Sequence, residues 1–166
     1  MLDAEHVEST PPEGWVGANQ RLSDWLDGEQ RDSAQKRRSI DVLLLSDLQQ
    51  EIAEEAYAAG LTPEQMSTWN RRCFASDVPE MPGTGLYREL LHDRHLNRGY
   101  RWRPNDLTDM IYLSCAAGYA DFVVCERSTA AAVVRAQQRL GRPRNTFASL
   151  SEAVPEIADR IGPDVA

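Results

Sequence analysis

A chain of 166 residues, 42% hydrophobic and 27% charged, fits one domain and is long enough to bury a core. No run approaches the roughly 18 to 20 apolar residues of a membrane span, and the opening MLDAEHVESTPPEG is too acidic and polar for a signal peptide, so the expected location is cytoplasmic. A formal charge of −8 argues against a protein that grips nucleic acid through a large basic surface.

Residues 1–14, with Pro11, Pro12 and Gly14, read as a flexible lead-in. A short helix is expected from Trp15 to about Gly28, followed by a charged link, EQRDSAQKRR. In residues 39–59, Ile40, Leu44, Leu48, Ile52 and Ala56 recur at four-residue steps, which predicts one long helix ending at Gly60; IDVLLL alone also fits a buried strand. Thr62, Pro63 and Gln65 are an N-cap, a first-turn proline and a capping-box partner, so another helix starts there. These elements make residues 15–80 a helical region, and VPEMPGTG after it reads as a loop.

A helix from about Leu86 to His95 leads into HLNRGYRWRPN, which is too irregular for regular structure. Asn105 is a candidate N-cap for a helix ending near Gly118. DFVVC and NTFAS are candidate strands at 121–125 and 145–149, separated by the helix ERSTAAAVVRAQQRLG and followed by SLSEAVPEIADRIG. That alternation predicts an α/β region over 81–166 with a small parallel sheet, whose strand ends gather loop residues into a crevice.

Charge divides the chain the same way. Residues 1–87 carry 7 Lys/Arg against 16 Asp/Glu, and residues 88–166 carry 11 against 10, with no acid from 127 to 151. Cys73, Cys115 and Cys125 have no paired spacing and read as reduced core residues; His92 and His95, three apart on a helix, read as surface histidines rather than metal ligands.

Asp106 and Asp109 lie on neighbouring turns at the start of one expected helix, and Glu126 follows the end of an expected strand. Carboxylates converging in this way repel one another unless a cation sits among them, and Mg²⁺ or Mn²⁺ prefer such oxygen ligands. Alternatively, Asp106 and Asp109 stabilise a helix start through its dipole, and Glu126 is a surface acid.

RHLN at 94–97, RWRPNDLTDM at 101–110, LSCAAGYADFVVCER at 113–127 and TFASLSEAV at 146–154 resemble the carboxy-terminal half of a PIN-like domain of actinobacterial type. In that pattern an aspartate opens a helix and a strand ends in threonine and an acid; Asp109 and Glu126 match the acids, Cys125 stands at the threonine, and Asp106 is an additional acid. The resemblance implies a PIN-like α/β fold and a metal-dependent ribonuclease or related phosphodiesterase. Its catalytic and metal-binding residues would be Asp106, Asp109 and Glu126, with Mg²⁺ or Mn²⁺ as cofactor. RNA would be held by Arg94, Arg101, Arg103 and Arg127; Tyr100 and Trp102 could stack on bases, although Tyr and Trp beside Arg are more often packing anchors.

The PIN pattern also begins with a strand carrying an aspartate. No such motif occurs near this amino terminus, where Asp41 and Asp47 are the only substitutes, so the fold is expected to lack its first strand and to be weakly active or inactive. A noncatalytic alternative is a protein-binding scaffold of toxin–antitoxin type, in which the acidic helical half contacts a partner.

Overall fold

A computed structural model of the chain describes residues 12–162. The element order is α1 (Pro12–Gly28), α2 (Ser33–Asp47), α3 (Gln49–Ala58), α4 (Pro63–Arg72), α5 (Phe74–Glu80), α6 (Pro82–His95), α7 (Asp106–Tyr119), β1 (Val123–Val124), α8 (Arg127–Arg139), β2 (Thr146–Phe147) and α9 (Leu150–Ile161). Most of the expected lead-in lies outside the described residues, but its residues 12–14 belong to α1.

The long helix expected at 39–59 is two helices, and the first begins earlier. Asp32 accepts the Gln35 N–H at 2.8 Å while the Gln35 side chain accepts the Asp32 N–H at 3.2 Å. This capping box starts α2 at Ser33 and draws most of the supposed link into the helix. Leu48 ends α2 and α3 restarts at Gln49, so Ile40 and Leu44 are buried while Leu48 and Ile52 are only half-buried. IDVLLL is helical, which removes it as a strand. The supposed loop at 78–85 is also largely helix, with Pro82 in the first turn of α6, where its missing N–H leaves no bond unmade.

The sheet is small and parallel, Val123 opposite Thr146 and Val124 opposite Phe147. Both strands are shorter than expected because the chain turns into helices at once: Glu126 precedes α8, and the Ser149 side chain caps α9.

At the centre lies α6, on which α1, α2, α5, α7 and α8 all pack. Its Leu86, Leu90 and Leu91 are buried with Ile40, Leu44, Met110 and Val133 in one core. Where α6 meets α7 the backbones touch: a Cβ on Gly118 would lie 2.7 Å from the Pro82 carbonyl carbon and 2.8 Å from the Gly83 nitrogen. Gly118→Ala therefore forces the helices apart. Overpacking of about 1 to 3 kcal/mol, offset by roughly 1 kcal/mol of helix propensity, should leave a net loss that a urea midpoint detects; an unchanged midpoint contradicts the contact.

Among the described residues, no helix is long and apolar enough to cross a membrane.

Candidate functional site

β1 hands the chain through Cys125 and Glu126 to the first turn of α8, and the first turn of α7 lies beside it. Between them and the end of α6 opens a cleft of about 410 Å³, lined by Asp106, Asp109 and Glu126 together with Arg94 and Arg103. The three acids separated in sequence thus share one cleft at the carboxyl end of a parallel strand, where α/β proteins place their ligands.

They are not equivalent. Asp106 is buried, and its carboxylate accepts the Tyr100 hydroxyl at 2.9 Å and the Arg103 N–H at 2.7 Å and pairs with Arg94 at 2.9 Å. The Arg94 guanidinium also lies 4.9 Å from the centre of the Tyr100 ring. Asp106 therefore ties the irregular 96–105 connection to the start of α7, and three of the roughly four lone-pair sites of its carboxylate are taken. Asn105, the expected N-cap, makes no side-chain cap bond. Among the described residues no group of three or more His, Cys, Asp or Glu side chains is arranged to hold a metal ion. Of the three expected ligands, Asp106 is therefore the one already held by protein partners, Arg94, Tyr100 and the Arg103 N–H.

Asp109 and Glu126 remain. Both are exposed, neither forms an ion pair among the described residues, and Glu126 accepts a hydrogen bond from the Ser128 hydroxyl at 3.1 Å. Burial and the nearby Glu126 charge raise the Cys125 thiol pKa, so it stays protonated at neutral pH. The cleft holds four carboxylates, Asp93 included, against three arginines. With Asp106 paired to Arg94 and Asp93 to Arg135 at 2.8 Å, Asp109, Glu126 and Arg103 are the charged groups of the cleft lining without an ion-pair partner among the described residues. This excess of negative charge favours a bound cation.

The expected RNA-binding arginines divide. Arg94 and Arg103 line the cleft; Arg101 is largely exposed and pairs with Asp24 of α1 at 3.2 Å, and Arg127 does not line the cleft. Arg135, part of the basic run without acids from 127 to 151 but not among the expected RNA-binding residues, also lines it. Trp102 takes the packing role: it is buried against Trp15, His95 and Tyr100 and cannot stack on a base.

Behind the cleft runs a buried ionic network. Glu89 of α6 accepts Arg139 of α8 at 2.7 Å and Arg37 of α2 at 3.3 Å, and lies 3.3 Å from Arg88. Arg139 also reaches Asp93 at 2.8 Å, which connects the network to the cleft wall. Asp41 of α2 accepts hydrogen bonds from Nε and Nη2 of Arg88, each at 2.7 Å. Burial alone would raise the Asp41 pKa, but its bonds to His92 and Arg88 bring it below the ordinary value. Asp41 is thus a structural anion outside the cleft.

The histidines are likewise not surface residues. His92 Nδ1 lies 2.8 Å from an Arg37 nitrogen and Nε2 lies 2.9 Å from Asp41. A guanidinium only donates, so Nδ1 carries the lone pair and Nε2–H donates to Asp41. His95 sits in a separate chain: Trp102 Nε1–H donates to Ser23 Oγ at 2.9 Å, Ser23 donates to His95 Nδ1 at 2.8 Å, and His95 Nε2–H donates to Asn19 at 3.0 Å. Burial pushes the His95 imidazole from 6.5 down to about 4. Because the folded pKa is depressed, this stability is complete above about pH 6.5 and is lost as pH falls toward 4. His95→Gln should weaken the protein at pH 7 yet flatten the decline of its urea midpoint between pH 7 and 5; an unaltered slope contradicts the assignment. Cys115 is exposed, and Cys73 and Cys125 are half-buried, so the cysteines are free but not core residues.

Comparison with known protein families, with characterised proteins and with solved structures finds no match.

Proposed function

We propose that this chain is a PIN-like, metal-dependent phosphodiesterase acting on RNA, with Asp109 and Glu126 as its metal-binding carboxylates. The observation that carries this reading is the pair of uncompensated acids in a cleft that also presents an arginine. Two carboxylates suit Mg²⁺ or Mn²⁺, because these ions keep several waters and complete their coordination with phosphate oxygens. Bound there, such an ion would polarise a phosphoryl oxygen and lower the pKa of a coordinated water.

The remaining groups bind and orient. Arg103 contacts a phosphate, Ser128 and Thr129 present hydroxyls at the cleft wall, and the first-turn N–H groups of α8 favour an anion at its N-terminus. Asp106, through Arg94 and Arg103, sets the position of the arginine wall. Tyr100, half-buried beside Arg94, contributes to that wall rather than to stacking.

A labelled single-stranded RNA incubated with the protein should be cleaved in Mg²⁺ or Mn²⁺ and spared when the metal is chelated. Cleavage that survives chelation contradicts the reading, as does the absence of both cleavage and metal-dependent RNA binding. On the binding side, Arg103→Ala should reduce the salt dependence of RNA affinity by about 0.7 in slope, the value of one single-strand phosphate contact, while Arg101→Ala leaves it unchanged. Equal effects from both would return Arg101 to the RNA surface.

A further inference from the structure

We infer that a second cavity, at the amino ends of the two strands, binds a linear polyamine. The cavity, of about 640 Å³, lies among the residues that enter β1 and β2, the end of α8 and the later turns of α9. The acidic cleft is at the other end of β1, where Glu126 follows the strand. Gln137 of α8 lines the cavity and is 2% exposed, yet its Oε1 has no hydrogen-bond partner. The orientation of this amide is set by its neighbour. Asn145 Nδ2 donates to the carbonyls of Ala117 and Ala120 at 3.0 and 2.8 Å, so Asn145 Oδ1 is the acceptor that receives Gln137 Nε2. Gln137 Oε1 is thereby the atom left without a donor, a desolvated acceptor that a ligand N–H would satisfy.

The charges of the lining call for the same kind of group. Of its three arginines, Arg160 pairs with Asp121 at 2.8 Å, Arg144 pairs with Glu152 at 3.3 Å, and Arg142 directs both Nη groups at the carbonyls of Pro79, Met81 and Pro82. Glu80, Glu156 and Asp159 also line the cavity and form no ion pair among the described residues. The groups left over are thus three carboxylates and one amide oxygen, all acceptors. They do not surround a single point, since no group of three or more His, Cys, Asp or Glu side chains among the described residues is arranged to hold a metal ion. Glu80 closes α5, whereas Glu156 and Asp159 lie three residues apart on α9. The cation that matches them carries several N–H-bearing charges along a chain, and its methylenes have the rings of Phe122 and Phe147 to lie against. A phosphate fits less well, because it would meet these acids while the arginines are already engaged.

Calorimetric titration of spermidine into the full chain tests this. Spermidine should bind, and n-butylamine, with a single ammonium group, should bind at least about tenfold more weakly. Glu156→Gln combined with Asp159→Asn should weaken spermidine at least about tenfold; both side chains are exposed, so folding survives, and equal urea midpoints check this. Gln137→Met keeps the bulk of the side chain, removes the acceptor and should weaken spermidine by about tenfold. Glu51→Gln combined with Glu55→Gln removes the same charge from α3, away from the cavity, and should leave the affinity unchanged. Absence of spermidine binding, equal affinity for n-butylamine, or wild-type affinity in either the α9 double variant or Gln137→Met overturns the proposal. So do equal losses from the α3 and α9 double variants, which would show that only the net charge of the chain attracts the cation. Binding of inorganic phosphate that the α9 double variant strengthens would assign the cavity to anions and likewise overturn it.

Discussion

Glu89→Ala is expected to cost about 3 to 5 kcal/mol, enough to unfold a marginal domain, because it removes the buried carboxylate that three arginines share, leaving Arg37 with no carboxylate partner among the described residues and Arg88 and Arg139 with only Asp41 and Asp93. The Glu89 side chain is 5% exposed and faces Arg37, Arg88 and Arg139, from α2, α6 and α8. Burial alone would raise its pKa; the His92 imidazole beside it, then the guanidinium groups of Arg139 and Arg37, outweigh burial and hold the carboxyl below its ordinary 4.5. A depressed carboxylate contributes stability that is present above its unfolded pKa and lost as pH falls through the folded one, so Glu89 makes the protein acid-labile below about pH 4.5. Glu89→Gln should cost less than alanine, since the amide oxygen still accepts a hydrogen bond, but it should remove this acid dependence. Chemical denaturation at pH 7 and pH 4 measures both effects. A loss under about 1 kcal/mol for Glu89→Ala at pH 7 would show that water compensates the arginines and that the network is not a structural centre.

The second large effect concerns activity. Asp109→Asn combined with Glu126→Gln should reduce metal-dependent RNA cleavage by at least about 100-fold, because groups that merely support metal ligands already cost 10- to 100-fold when removed. Folding should survive, since both side chains are exposed and neither forms an ion pair among the described residues. Asp106→Asn is expected to behave oppositely. It weakens the pairing to Arg94 and the tie to the 96–105 connection, so stability falls measurably while metal affinity changes little. Single-turnover rates with urea midpoints on the same three variants separate these roles; a greater loss of metal binding in Asp106→Asn than in the double variant would reverse the assignment.

What was legible in the sequence is the signal that acts locally. Thr62 accepts the Gln65 N–H at 3.3 Å and Gln65 accepts the Thr62 N–H at 2.8 Å, as their spacing requires. Asp32 and Gln35 make the same box, and reading it would have started α2 at the right place. The α-β-α-β-α order of the second half follows from short β-forming runs between helical ones, and the three acids share a cleft because strand ends and helix starts meet there.

Long-range pairing was not legible. The commitment of Asp106 to Arg94 and Tyr100 depends on a connection with no regular pattern folding back on itself. His92 and His95 look like surface residues because polar side chains on a helix usually face water; α6, however, is covered by five helices, so even its polar positions are buried. No apolar periodicity announces that, since the space around α6 is filled partly by salt bridges. The break at Leu48 escaped for a related reason: four-residue steps persist through it while the burial they should confer stops at Leu44, apart from Ala56.

The claim that Asp109 and Glu126 form a cation site is tested most directly by calorimetric titration of Mn²⁺ into the metal-free protein, alone and with a non-cleavable RNA analogue. The account predicts weak Mn²⁺ binding that the RNA analogue strengthens and that Asp109→Asn removes without lowering the urea midpoint, because one carboxylate fewer relieves repulsion in the metal-free cleft. Equal Mn²⁺ affinity in wild type and Asp109→Asn, with or without the analogue, would contradict it.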